Sequence, residues 1–344
     1  MTNKEILLSA IRLQKTPRVP VIKLAGGVWL YERHGLSLQD VLDMPPAQYA
    51  DLMLRDNEEL GMDLIWTGAG LNHVLLRTIG AKVTFDKVGA ASTVEEPMIS
   101  SAEDLDKIKS PSLENDPGIA NLLEATRILS ERVGNEVLIG VSQWGPFSLA
   151  GLMMGLEKFM VYIMRDKAGT ERILAFTQEL VEKYLELFRE AGVGLVNFSE
   201  PSASMISPKM FQDLAMPCIR KTNDAFRDKG VARMLHICGN TTKLLDLIPE
   251  TGTDLFSFDY KVDLAAAKEK LGGKVAFAGN IDPVGVIFEG TKEDVAKAAE
   301  NCLRIAGETP GYVLMPGCDI PPKTRIENVK AMASVAHRAI DGKL

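Results

Sequence analysis

The sequence has no block of basic residues, no long apolar run, and only four cysteines among its 344 residues. Its 39 Lys and Arg stand against 46 Asp and Glu, a formal net charge of −7. A surface that tracks nucleic-acid phosphates is therefore not expected. The opening residues, MTNKEILLSAIRLQKTPRVP, interrupt their apolar positions with Lys4, Glu5, Arg12 and Lys15, so the continuous apolar core of a signal peptide is missing. No stretch approaches the ~18 apolar residues of a membrane span, and no membrane partner is expected. Few cysteines and no secretory signal fit a reducing, cytoplasmic setting, where clustered cysteines more often bind metal or catalyse than pair as disulfides. Low-complexity segments and Pro/Ser-rich linkers are absent too, which leaves no boundary for a second domain.

The rest is ordinary for a globular chain: 46% hydrophobic, 25% charged, with 29 Gly and 17 Pro. At roughly 150 residues per domain the length suggests two domains, but an α/β barrel keeps one core at this size. Eight short β-rich runs decide for the barrel: Val19–Leu24, Asp63–Thr67, Val137–Gln143, Gly194–Ser199, Ala232–Cys238, Asp254–Asp259, Lys274–Gly279 and Tyr312–Gly317. Between them lie segments of 3.6-residue periodicity, such as Pro208–Lys229, Thr241–Glu250, Lys292–Ala306 and Ile326–Asp341. Strand and helix in alternation predict a single (β/α)8 TIM barrel spanning residues 1–344, preceded by an N-terminal helix. Two segments depart from the alternation. Residues 79–99 alternate polar and apolar positions around Gly89, which predicts an inserted β-hairpin. Residues 146–192 are long enough for two or three helices, with a turn at Arg165–Thr170.

Barrel active sites form at the C-terminal ends of the strands. The residues there are Gln143 and Trp144, then Glu200, then His236 with Cys238, then Asp259, Asn280 and Asp282, and finally Cys318 and Asp319. His236 and Cys238 are two apart on a strand and share a face, and the closing strand brings Cys318 to the same mouth. One imidazole and two thiolates suit zinc, and three protein ligands leave an open fourth position, as in catalytic sites. The competing possibility is a satisfied core histidine and two small buried cysteines. Cys218 and Cys302 fall inside helical patterns and read as packing residues. A substrate thiol at the open position would lose its proton and remain nucleophilic enough to attack a methyl group.

The stretches LHICGNTTKLLDLIPETGTDLFSFDYKVDL, GKVAFAGNIDP and VLMPGCDIPPKTRIENVKAM, together with EPSASMISPKMFQDLAMPCIRK, resemble the uroporphyrinogen decarboxylase superfamily. The resemblance is to its corrinoid-dependent branch, the methylcobamide:coenzyme M methyltransferases and their bacterial relatives. It implies a TIM barrel, zinc held by His236, Cys238 and Cys318, and methyl transfer between a corrinoid (methylcobalamin) protein and a small thiol such as coenzyme M or a methylated substrate. Glu200 falls where the family has an acidic residue near the metal. Asp259 is a second candidate catalytic carboxylate, and Gln143, Trp144, Asn280 and Asp282 are candidates for substrate binding. One of Asp259, Asn280 and Asp282 is expected to act, by orienting substrate or by a hydrogen bond to His236; turn chemistry is the alternative for each. Trp66, Trp144, Phe147, Phe198 and Phe258 are candidates to line an apolar pocket. Other activities to weigh are a uroporphyrinogen-type decarboxylase, an O-demethylating methyltransferase of methoxylated substrates, and a barrel that binds metal without turnover. The segment AGGVWLYERHG offers only Arg33 and His34 as cations, unlike the Arg-rich segment with which decarboxylases hold substrate carboxylates.

Overall fold

Seven of the eight runs form one parallel sheet in the computed structural model, which describes residues 1–108, 112–307 and 309–339. The strands are β1 (Leu64–Thr67), β4 (Leu138–Trp144), β5 (Leu195–Ser199), β6 (Ala232–Ile237), β7 (Leu255–Phe258), β8 (Ala276–Ile281) and β9 (Tyr312–Pro316). They pair in the order β1-β4-β5-β6-β7-β8-β9. Between β1 and β4, β2 (Val83–Thr84) and β3 (Thr93–Val94) make the expected hairpin, with Val83 opposite Val94.

The first run, Val19–Leu24, departs from expectation: it is not a regular strand. It lies between the two edge strands and makes a single parallel bridge, Val21 to Leu314. Pro20 supplies no N–H for a ladder, so closure is shared among separate bonds. Leu314 N–H donates to Pro20 O at 2.9 Å, and Asp63 N–H to Val21 O at 2.9 Å. The buried Asp63 carboxylate accepts from Val21 N–H at 2.7 Å and from Arg18 at 2.6 and 2.8 Å. The barrel thus closes through one carboxylate and a bridge.

Alternation along the strands separates two buried layers. Leu64, Leu138, Leu195, Met234, Leu255 and Val313 point inward, and Leu7, Ala10 and Ile11 of the N-terminal helix Asn3–Ile11 plug the barrel's lower end. That helix begins at a Thr2–Glu5 capping box. Outward side chains such as Val141, Val196, Leu235 and Phe256 pack under the helices. Nearer the C-terminal ends the inward positions turn polar, at Ser142, Asn197, Ser199, His236 and Ser257.

Residues 146–192 hold three helices, Pro146–Met154, Leu156–Arg165 and Lys167–Glu190. No single helix among the described residues is long and apolar enough to cross a membrane; the apolar pair Pro146–Met154 and Leu156–Arg165 bends by 107°. Thr241–Glu250 is not one helix but two short 3₁₀ turns, Thr242–Leu244 and Ile248–Thr251, because Pro249 cannot donate to a helical ladder. The segment beginning at Pro208 passes through a π-helical turn at Phe211–Ala215 before Met216–Ala225. The last helix is Ile326–Arg338; residues 340–344, within both the expected helix to Asp341 and the domain expectation, lie outside the described residues.

Candidate metal centre

His236 is the third inward position of β6 and is 1% exposed. Cys238 follows the strand end, and Gly239 then turns the chain at φ +82°, a conformation that costs glycine little. Cys318 follows β9 through Gly317, where a Cβ would stand 2.4 Å from the Tyr260 amide nitrogen; only glycine admits that approach. The donor atoms of His236, Cys238 and Cys318 all lie within 4.8 Å of one another. His236 Nε2 is 2.8 Å from Cys238 Sγ, and the two sulfurs are 3.2 Å apart. Three soft and borderline donors lie together, with both sulfurs on a cavity wall, and such a set suits a metal ion such as zinc.

The proton on the imidazole is placed by a chain of contacts. His236 and Ser257 are direct partners in the β6–β7 register, and Nδ1 is 2.8 Å from Ser257 Oγ. Ser257 in turn directs its hydroxyl to Met315 Sδ at 3.9 Å, which leaves its oxygen free to accept from Nδ1–H. That tautomer presents Nε2 as a lone pair on the cysteine side, as a metal ligand requires. The two sulfurs are paired: the hydrogen bond from Cys238 favours the Cys318 thiolate, lowering Cys318 and raising Cys238.

The carboxylates take supporting positions. Glu200 is fully buried and accepts from the amides of Phe147 at 3.0 Å and Ser148 at 2.7 Å, at the start of helix Pro146–Met154. Burial pushes it up to about 7 despite those bonds. Asp259 accepts from Gly239 N–H at 2.9 Å and from Lys261 N–H at 3.1 Å, so it fixes the turn after Cys238. Asn280 donates to Val262 O at 2.6 Å, and Asp282 caps the next turn through the amides of Val284 and Gly285 at 2.9 and 3.1 Å. None of Asp259, Asn280 and Asp282 is bonded to His236; Ser257 holds that place. In sequence Ser257 shows only as a polar residue two before Asp259; its pairing with His236 is set by the β6–β7 register.

The ligands open onto a cavity of about 120 Å³. Its wall includes Trp144, Ser142, Ser199 and Asp319, with Asn72 and His73 from the loop after β1 and Ala91 and Ser92 from the hairpin. Gln143 points to the opposite side of β4 and accepts from its neighbour's amide, Trp144 N–H, at 2.7 Å. Of the aromatic candidates, Trp144 lines the cavity, while Trp66, Phe147, Phe198 and Phe258 are wholly buried in the core. Cys218 and Cys302 are buried within the outer layer. Arg33 is committed elsewhere, to Asp56 at 2.6 Å and Glu59 at 2.8 Å, above the Trp29 ring.

The family model for uroporphyrinogen decarboxylase (URO-D) matches residues 2–339. The chain belongs to this family. Among relatives of this URO-D family protein, the methylcobamide:CoM methyltransferase MtbA of Methanosarcina mazei is 33% identical over 97% of this chain and 97% of its own. Methylcobamide:CoM methyltransferase MtaA of Methanosarcina barkeri is 26% identical over the same shares. A uroporphyrinogen decarboxylase of Carboxydothermus hydrogenoformans is 24% identical over 97% of this chain and 96% of its own. A solved methyltransferase from Methanosarcina mazei matches with a TM-score of 0.88 at 25% identity, covering 98% of this chain and 99% of that one. The resemblance read from the motifs therefore extends along the whole barrel, hairpin included.

Proposed function

We propose that this protein is a zinc-dependent methyltransferase that moves a methyl group between a corrinoid carried by a partner protein and a small thiol. The observation that carries this reading is the convergence of His236, Cys238 and Cys318 on a small cavity at the barrel mouth. Likeness to methylcobamide:CoM methyltransferases over nearly the full chain supports it.

Zinc, when bound there, supplies the charge that lets a thiol lose its proton near neutral pH, while two thiolate ligands keep the bound sulfur nucleophilic. The protein's own groups prepare that chemistry. Ser257 fixes the His236 tautomer, Asp259 and Gly239 fix the Cys238 turn, and Glu200 fixes the start of helix Pro146–Met154 beside Trp144. In the transfer, the substrate sulfur forms the new bond to carbon as the carbon–cobalt bond of the methylcorrinoid breaks, its electron pair leaving with the corrinoid. The thiol proton goes to solvent. Apolar side chains on the C-terminal loops, Met205 at 62% exposure and Tyr260 at 41%, offer a protein partner a surface around the mouth.

Tetrapyrrole decarboxylation fits less well. Arg33 is held by two carboxylates, and among the described residues no Lys or Arg lines the cavity to receive a substrate carboxylate.

Zinc analysis with a methylcobalamin assay tests the proposal. One zinc per chain is expected, with demethylation of methylcobalamin that requires both metal and thiol. Full activity in purified protein that holds no zinc would refute the mechanism.

A further inference from the structure

Part of the cavity wall is unexplained by metal binding. Asn72, His73 and Trp144 line it, and each holds a buried polar atom with no partner among the described residues: Asn72 Oδ1, His73 Nε2 and Trp144 Nε1. A buried polar atom left without a partner is costly, so a cluster of such atoms at a cavity is a place where a ligand can gain hydrogen bonds. The His73 and Trp144 rings stack with centroids 6.0 Å apart, so the two side chains stand side by side in the wall.

The hydrogen-bonding character of that patch follows from its neighbours. His73 Nδ1 lies 2.8 Å from Ser92 Oγ and 3.1 Å from the Ser92 carbonyl oxygen; the hydroxyl could donate or accept but the carbonyl can only accept, which favours the proton on Nδ1, shared between the two oxygens, and Nε2 as an acceptor. Burial favours the neutral ring. Trp144 Nε1–H can only donate. One donor beside one acceptor matches a hydroxyl, which receives the indole N–H and gives its own proton to His73.

Charge points the same way. Among the described residues no Lys or Arg lines the cavity, whereas the carboxylate of Asp319 does, held by Gly26 N–H at 2.8 Å. Lys23 is close in sequence, but its neighbours Ile22 and Leu24 belong to the barrel interior. Lys23, whose buried Nζ has no hydrogen-bond partner among the described residues, is not among the lining residues, and Asp56 acts on its charge more strongly than Asp319. An anionic tail entering the cavity would lose its hydration and meet the Asp319 carboxylate in a wall lined by no Lys or Arg.

We propose that this wall selects the tail of the small thiol, accepting an uncharged, hydroxyl-bearing tail and disfavouring a sulfonate or carboxylate. The inference rests on the thiol methyltransferase reading and narrows its substrate class away from the sulfonated thiol named for the relatives.

The test uses the full chain loaded with Co(II) in place of zinc, in which a bound thiolate adds a sulfur-to-cobalt absorption band. Three thiols are titrated, each corrected for its own thiol pKa: 2-mercaptoethanol, 2-mercaptoethanesulfonate and 3-mercaptopropionate. Binding of 2-mercaptoethanol is expected to be about ten-fold tighter or more than either anion, a factor equal to one well-made hydrogen bond. In Trp144→Phe and His73→Phe, which keep a ring and remove the polar atom, that ratio is expected to fall several-fold. Equal or tighter binding of the sulfonate overturns the inference and leaves the zinc–thiol reading standing. A ratio unchanged in both variants also overturns it. If no thiol changes the spectrum, both fall.

Discussion

His236 Nδ1 stands 2.8 Å from Ser257 Oγ, straight across the β6–β7 pairing. The serine decides which imidazole nitrogen is free for a metal. Partners of this kind are worth about 10–100-fold in metal affinity. Ser257→Ala is expected to weaken zinc binding by that factor, read by competition with a chromophoric chelator, while circular dichroism shows an intact barrel. Unchanged affinity would mean that another contact orients the ring.

His236→Ala and Cys318→Ala should each abolish methyl transfer with the barrel still folded. The histidine is at the end of its strand and Cys318 beyond the last one, so neither carries the sheet. Zinc content and activity are expected to fall together; wild-type activity in either variant would contradict the ligand assignment.

Chelation should sort the four cysteines. Cys238 and Cys318 are partly exposed, whereas Cys218 and Cys302 are buried. Iodoacetamide followed by peptide mass mapping is expected to modify Cys238 and Cys318 only after zinc removal, and to spare Cys218 and Cys302 in both states. Equal labelling of Cys238 and Cys318 with and without chelator would show that no metal protects them.

Glu200 gives a pH signature. Burial raises it from 4.5 to about 7 in the folded chain, so the folded state holds the proton more tightly than the unfolded one. Its contribution is complete below about pH 4.5 and is lost as pH rises to about 7, a loss of at most about 3 kcal/mol. Glu200→Gln mimics the protonated form and should flatten the dependence of urea stability on pH in that window. An undiminished slope would place the titration elsewhere.

Much of this was legible in residue order. Apolar alternation exposed the strands, and the i, i+2 spacing of His236 and Cys238 put two donors on one face. Val19–Leu24 misled because its composition is that of a strand, while Pro20 restricts it to one bridge and Asp63 does the joining. Ser257 escaped notice because its role depends on register between two strands, which spacing within either strand does not specify. Asp259, Asn280 and Asp282 look catalytic in sequence since strand ends are where chemistry gathers, yet turns gather there too and need the same side chains. His73 had no signal at all: its loop reaches the mouth only through the fold, where it meets Trp144.

In the proposed reaction a thiol completes a zinc site made by His236, Cys238 and Cys318. X-ray absorption at the zinc edge tests it most directly, on the purified protein before and after addition of 2-mercaptoethanol. Zinc bound by two sulfurs and one imidazole nitrogen with a lighter fourth ligand is expected, with a third sulfur at about 2.3 Å once thiol is added. A zinc shell that does not change on adding thiol, or one that lacks the two cysteine sulfurs, would contradict it.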